Sequence, residues 1–458
     1  MSRRTKLIAT LGPLSMDEKI IKDMIVSGAD AFRLNFSHGT LEEKMKLIKI
    51  VRKLSNRLNL NIPIIADLQG PVVRIRVNKD IMVYRGKKYV FSWRDGAIRI
   101  PDNNLFSNIE NNDILLIDDG KLVFRVIKKR GNEVIAEALR DGMLRDRKKI
   151  FIKDKFVKTE PLTKKDIDDL RFSIENKLEY IALSMVSTPE DIKILKDKIQ
   201  EFDGDQWIIA KIENPLGVKN IKKIAETSEG IMIARGDLGQ YFPLEKIPQI
   251  QHKIVYEGNR MGRITIIATQ ILESMIDNDT PTRAEVTDIF NSVGERVDAI
   301  LLTSETAIGK NPVLTVKWAI KILSEADKIY SNEILYYKGD FVENIFDKFA
   351  RGVVYLSHLI NGKIIGFTKK GNTARRLARY RPKSKIYIAV QDRKLANKLN
   401  ILYSISPLYS DKNGDYWEIL AYTKDYLIKK KLVKKGDTIV YTIGVRPKST
   451  DMIKVEVV

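Results

Sequence analysis

Short apolar runs alternate with amphipathic stretches of helical length along most of the chain, the signature of βα units on a parallel sheet. Eight runs read as strands: Lys6 to Leu11, Ala31 to Phe36, Ile62 to Asp67, Tyr180 to Ser184, Trp207 to Glu213, Gly230 to Ala234, Ile264 to Thr269 and Ala299 to Thr303. Helical patterns follow most of them. One spans Asp17 to Val26. Ser187-Thr188-Pro189-Glu190 joins a capping hydroxyl to a proline suited to the first helical position. Thr282-Arg283-Ala284-Glu285 is a capping-box pattern. The repeat predicts a closed (β/α)₈ TIM barrel. An open doubly wound sheet is the alternative, and eight units in this span favour closure.

The rhythm breaks after the third strand. Lys88 to Trp93, Ile114 to Ile117, Leu122 to Ile127 and Val134 to Ala138 alternate or cluster as β, and Asp118-Asp119-Gly120 is a turn signal between two of them. We expect a small inserted all-β domain, a β-barrel lid over the C-terminal face of the main barrel. Beyond about Ser331 a further α/β unit is predicted, with strands at Lys363 to Phe367, Lys385 to Val390, Thr438 to Ile443 and Met452 to Val457. The expected domains are residues 1–70 with 156–330 for the barrel, 71–155 for the lid and 331–458 for the C-terminal unit.

Composition narrows the chemistry. A chain of 458 residues exceeds one core, and a hydrophobic fraction of 44% is ordinary for a globular protein. With no cysteine, thiolate catalysis, disulfides and cysteine-bound zinc are excluded. Only three histidines occur, His38, His252 and His358, so a metal site is expected to use oxygen ligands. No apolar run is long enough to span a membrane, and the N-terminus does not resemble a signal peptide; the cytoplasm is the expected compartment. The net charge of +21 raises the question of nucleic acid. Because the basic residues are interleaved with acids and no recognition motif accompanies them, neither nucleic acid nor membrane is the expected partner.

The charged residues at strand ends are more informative, because chemistry on such barrels sits at the C-terminal rim. Arg33 and Asn35 lie on the second strand, and Asp67 ends the third. Lys211 and Glu213 end the fifth, two apart and so on one face. Asp237, Thr269 and Glu305 sit at or after the sixth, seventh and eighth. Any one of these is ordinarily a solvated loop residue or a helix cap. Together, an acid pair able to share a hard cation beside Arg33 and Lys211 describes a site for an anionic, phosphate-bearing substrate.

These residues carry a family resemblance. Arg33-Leu34-Asn35-Phe36-Ser37-His38-Gly39, Lys211-Ile212-Glu213-Asn214, Ala234-Arg235-Gly236-Asp237-Leu238-Gly239, Ala268-Thr269-Gln270-Ile271-Leu272-Glu273-Ser274-Met275 followed by Pro281-Thr282-Arg283-Ala284-Glu285, and Ser304-Glu305-Thr306-Ala307 stand in register along the chain. In that order they resemble the pyruvate kinase family, in an archaeal or bacterial form without the helical N-terminal extension of some members. The resemblance implies an enzyme that transfers the phosphoryl group of phosphoenolpyruvate to ADP in glycolysis, giving pyruvate and ATP, and a homotetramer.

By resemblance, Glu213 and Asp237 hold Mg2+ or Mn2+, Lys211 neutralises the phosphoryl group and the enolate, and Arg33 holds the phosphate. Thr269 and the backbone at Gly236 and Asp237 take the substrate carboxylate, with Thr269 near the proton path. Pro13, Asn35, His38 and Arg74 fall at nucleotide positions. Asn35, Ser37 and Asp67 match potassium ligands, but Leu68 and Val72 stand where a Thr and a Glu are usual, so weak or absent potassium dependence is expected. Leu216 also replaces a usual polar residue, to which no consequence is assigned. The turn Thr368-Lys369-Lys370-Gly371-Asn372-Thr373 suits either an effector phosphate or an ordinary βα connection. Three other readings compete. They are a Schiff-base lyase using Lys211, a nucleic-acid-binding barrel, and a regulatory pseudoenzyme, against which the retained Lys211, Glu213, Asp237 and Thr269 argue.

Overall fold

The computed structural model describes residues 3–118, 120–330, 343–411, 414–443 and 452–458. The expected boundary at 330/331 and Asp119 of the predicted turn therefore fall outside or at the edge of the described residues.

Eight parallel strands close on themselves: β1 (Lys6–Leu11), β2 (Ala31–Asn35), β3 (Ile64–Asp67), β4 (Tyr180–Leu183), β5 (Trp207–Ile212), β6 (Gly230–Ala234), β7 (Ile264–Ala268) and β8 (Ala299–Leu302). They pair in chain order, and β1 meets β8 in the register Lys6↔Ala299. The strands are rich in Ile and Ala because both faces are covered, as in β7, where all five residues are buried. Five strands end earlier than the apolar pattern suggested, at Asn35, Leu183, Ile212, Ala268 and Leu302. After two of them the chain turns sharply, with left-handed backbone at Met185 (φ 58°) and Thr269 (φ 68°). The helix after β1 is Glu18–Ser27, capped by the Asp17 carboxylate on the Lys19 and Ile20 N–H groups. Thr282 and Glu285 form the expected capping box for Arg283–Gly294.

The insertion after β3 is β-rich as expected. Its strands form a seven-stranded sheet and a two-stranded ribbon around a core containing Phe91, Phe124 and Leu115. The sheet's two ends meet where the chain enters and leaves. Arg74 and Lys149 form an isolated antiparallel bridge, and the Ile150 N–H donates to the Val73 carbonyl at 3.1 Å. A short helix, Asn103–Ser107, escaped the all-β expectation; it is started by the Asp102 carboxylate accepting from Leu105 N–H at 2.6 Å. The lid rests on the barrel through Phe151 and Phe156, each edge-on to Tyr241 with ring centroids 5.8 Å apart.

The C-terminal domain carries β9 (Lys363–Phe367), β10 (Ile386–Val390), β11 (Ile405–Tyr409), β12 (Thr438–Ile443) and β13 (Met452–Val457), in the order β11-β10-β9-β12-β13. β11 went unpredicted because it holds Pro407, and proline reads against a strand. It is an edge strand, where the missing N–H is tolerated. This domain seals the N-terminal mouth of the barrel. Ile8, Ala31 and Ile209 from the strands share one core with Leu377, Leu399 and Leu402. There Arg381 grips the Asp298 carboxylate with two bonds of 2.7 Å, and both side chains are only 2% exposed.

Candidate active site

The C-terminal rim brings the predicted residues together. Lys211, leaving β5, is held by three oxygens: Asp67 Oδ1 and Glu213 Oε1 at 3.0 Å each, and Ser184 Oγ at 2.8 Å. Ser184 in turn donates to the Leu68 carbonyl at 2.7 Å. Arg33, from β2, donates through Nε to Asp67 Oδ2 at 2.6 Å and through Nη1 to Thr10 Oγ1 at 3.1 Å. Asp67 thus spaces the two cations. Burial would raise its pKa, but Lys211 and Arg33 outweigh burial and hold it below the usual carboxylate range. Burial likewise pushes Lys211 down, and Asp67 and Glu213 more than reverse this, so the amine stays an ammonium. A Schiff-base lysine needs the opposite shift, so the geometry disfavours the lyase reading.

Glu213 is 2% exposed and accepts from the Met185 N–H at 2.7 Å through its second oxygen. Burial raises its pKa; Lys211 opposes this, and Asp237 and Asp67 add to it. Asp237 sits in a one-turn helix, Arg235–Leu238, directly after β6. Among the described residues no cluster of three or more acidic, His or Cys side chains forms a closed metal cage. Two hard carboxylates with their remaining positions left to substrate and water suit a magnesium-type ion, which commonly takes one or two protein carboxylates beside phosphate oxygens.

Thr269 follows β7, beside the turn that carries Asp237. Its hydroxyl accepts from the Gly236 N–H at 2.9 Å, leaving its own proton to point elsewhere. That N–H, expected to serve a substrate carboxylate, is therefore engaged by Thr269. A β-branched residue at φ 68° is strained. Arg235, for which no separate role was expected, holds the strain: Nη2 donates to the Thr269 and Gln270 carbonyls at 2.8 and 2.9 Å, and Nη1 is tied to Asp288 at 2.7 Å.

The nucleotide candidates lie at or just beyond the ends of β1, β2 and β3. Pro13 opens a short 3-10 turn after β1. Asn35 Oδ1 accepts from the Ser37 N–H at 3.0 Å. His38 is partly exposed. Partial burial, then Arg74, Lys44, Lys149 and Arg33, lower its imidazole pKa, the mark of a cation-rich neighbourhood. Arg74 donates to the Arg147 carbonyl at 2.8 Å. Lys149, which sequence reasoning missed, reaches from the lid to Asp237 Oδ1 at 3.1 Å. Nothing in the Lys148-Lys149 pair alone marks one lysine for the site; the lid's docking does.

One rim expectation changes. Glu305 points inward, 1% exposed, and clamps loops: it accepts from Thr303 N–H at 2.7 Å and Leu272 N–H at 3.1 Å. At the expected potassium positions, Leu68 is buried in the core, both Asp67 oxygens face cations, and Asn35 Oδ1 is bonded to backbone. The Thr368–Thr373 turn is shaped by the Gly371 N–H donating to Thr368 Oγ1 at 3.0 Å. Gly371 has φ 84°, and a Cβ there would meet Trp207 at 3.3 Å.

A lidded βα barrel with a buried ammonium, a guanidinium and an acid pair at its rim belongs to the enzymes that handle phosphorylated anions. Residues 2–316 match the family "Pyruvate kinase, barrel domain" and residues 347–456 match "Pyruvate kinase, alpha/beta domain". A pyruvate kinase of Thermoplasma acidophilum is 35% identical over 96% of this chain and 79% of its own. One from Clostridium acetobutylicum is 33% identical over 100% of both chains. A crystal structure of a pyruvate kinase from Cryptosporidium parvum superposes with a TM-score of 0.92 at 27% identity, covering 99% of this chain and 96% of that one. The chain belongs to the pyruvate kinase family, and it is a phosphotransferase.

Proposed function

We propose that the rim site moves the phosphoryl group of phosphoenolpyruvate to ADP through the residues just described. The observation that carries this reading is Lys211 fixed as an ammonium by Asp67, Glu213 and Ser184 beside Arg33. Phosphoryl transfer needs positioning and charge neutralisation more than covalent help. Arg33, oriented by Asp67 and Thr10, holds the phosphate. Lys211 faces the transferred group and then the enolate oxygen. Glu213 and Asp237 would hold a divalent ion, magnesium or manganese, which would supply Lewis-acid neutralisation of the substrate's oxygens. Thr269 presents its hydroxyl proton toward the substrate, and with water it completes protonation of the enolate to pyruvate. Lys149 leaves Asp237 as the site fills and turns, with Arg74, to the nucleotide phosphates; Pro13, Asn35 and His38 line that side.

Potassium is not required in this reading, because Leu68 offers no hydroxyl and Asp67 is committed to its cations. A homotetramer is the proposed assembly. The family resemblance supports it, as does β13, an edge strand exposing Val455 (46%) and Val457 (69%). Among the described residues no helix is long and apolar enough to cross a membrane, and the cytoplasm remains the proposed compartment.

Pyruvate release from phosphoenolpyruvate, ADP and magnesium is the test, in potassium-free buffer and again with potassium. Turnover is expected in both, nearly equal, with a loss of about 10²–10³ in Lys211→Met. No turnover by folded protein with metal present would discard the assignment.

A further inference from the structure

Away from the rim, a cavity of 270 Å³ opens between the barrel and the C-terminal domain. Its C-terminal wall is one face of the helix Asn372–Arg379: Asn372, Arg375, Arg376 and Arg379 fall at i, i+3, i+4 and i+7. Its barrel wall is the turn into β7, with Gly262 and Arg263. Four guanidinium groups therefore line one small space, on a helix face that packing alone would make apolar.

The compensation is incomplete. Asp347 serves two of the four, at 3.1 Å from Arg376 and 3.7 Å from Arg379. Arg379 also donates to the Arg260 carbonyl. No described carboxylate forms an ion pair with Arg263 or Arg375. Arg263 gives Nη2 to the Glu226 carbonyl at 3.0 Å, while its Nε is buried without a hydrogen-bond partner. Arg375 gives Nη2 to the Asn372 side chain at 2.8 Å and lies over the Trp207 ring at 5.1 Å, which fixes its plane. Burial lowers the pKa of both groups, Arg375 lowers that of Arg263 further, and the Glu229 carboxylate, near both without an ion pair to either, opposes this only in part. Gly262, at φ 65°, keeps the floor open: a Cβ there would meet Arg379 Cδ at 3.0 Å.

We propose that this cavity binds a phosphate dianion, carried by a small phosphomonoester or free, wedged between barrel and C-terminal domain. Two pre-oriented guanidinium forks without an ion-paired carboxylate match the charge and planar geometry of a phosphate. The volume, slightly below the usual range of ligand cavities, leaves room for a short organic tail rather than a nucleotide. The cavity shares Asn372 with the neighbouring Thr368–Thr373 turn, but Lys369 and Lys370 lie outside its lining. The two barrel strands that start beside it, β6 and β7, end at Asp237 and Thr269, so an occupant braces the segments that carry both.

Calorimetric titration of the full chain with inorganic phosphate and with glycerol 3-phosphate, at fixed ionic strength, tests this. Phosphate also enters the rim site through Arg33, so the titrations are made in Arg33→Gln as well. Saturable binding is expected to persist in Arg33→Gln. It should weaken about tenfold or more when Arg263→Gln and Arg375→Gln are added. Tighter binding of glycerol 3-phosphate assigns an organic phosphate, equal binding assigns the free ion, and both support the site. Absence of saturable binding in Arg33→Gln, or unchanged affinity after the glutamine pair, overturns it. If the glutamine pair misfolds by circular dichroism, Arg263→Lys with Arg375→Lys replaces it. Charge is then kept and the fork lost, and undiminished affinity would count against the proposal.

Discussion

Two of the ion pairs that join a neighbouring domain to the barrel, one at each mouth, differ above all in burial. At the closed mouth, Arg381 of the C-terminal domain meets Asp298, and both side chains are 2% exposed. At the open mouth, Lys149 of the lid meets Asp237 at 3.1 Å, with side chains 29% and 20% exposed. Removing one partner of the first strands a charge where no water reaches. Breaking the second returns both groups to water at small expense. The same chemistry is thus a fastener on the floor and a releasable contact under the lid, and burial makes the difference.

The sharpest way to break this comparison is Arg381→Met. It should lower stability by about 3–5 kcal/mol, read as a fall in the denaturation midpoint, while kcat per folded molecule holds. Lys149→Met should do the reverse. Thermal stability stays near wild type, and kcat/KM for ADP falls about tenfold, by loss of a contact of roughly 1.5 kcal/mol to the nucleotide phosphates. If Lys149→Met instead unfolds the protein as readily as Arg381→Met, the distinction between the two mouths collapses.

The smallest effect tests whether the floor tolerates unpaired charge. Burial, then Lys6, with Arg3 and Arg4 adding and Asp30 opposing, lowers the pKa of Lys385 to about 7. The folded amine is neutral, and the unfolded one charged, between about pH 7 and its ordinary value of 10.5. Unfolding therefore takes up a proton in that window, and this group's contribution to stability rises with pH across it. Lys385→Met should be more stable than wild type below pH 7, by something on the order of 1 kcal/mol. That advantage should shrink as the pH climbs toward 10. An advantage that stays flat with pH would show that Lys385 is not the titrating group.

The barrel strands were legible because a strand covered on both faces leaves an apolar run that needs no partner to be recognised. The rim cations and acids were legible because they interrupt those runs at their ends. Lys149 was not, since one lysine in the pair Lys148-Lys149 acquires meaning only when the lid docks. Glu305 was misjudged as a rim group because its direction depends on the Thr303 and Leu272 N–H groups it satisfies. β11 hid behind Pro407, which is permitted only because that strand takes the sheet's edge.

The sequence by itself determined the eight strands, the β-rich insertion and the set of residues able to neutralise a phosphoryl group, since periodicity and residue chemistry are local properties. Only the tertiary structure decided which charges became fasteners, which stayed within reach of water, and where Arg263 and Arg375 meet across a domain boundary. Those outcomes depend on burial and on partners far apart in the chain, and no local pattern encodes either.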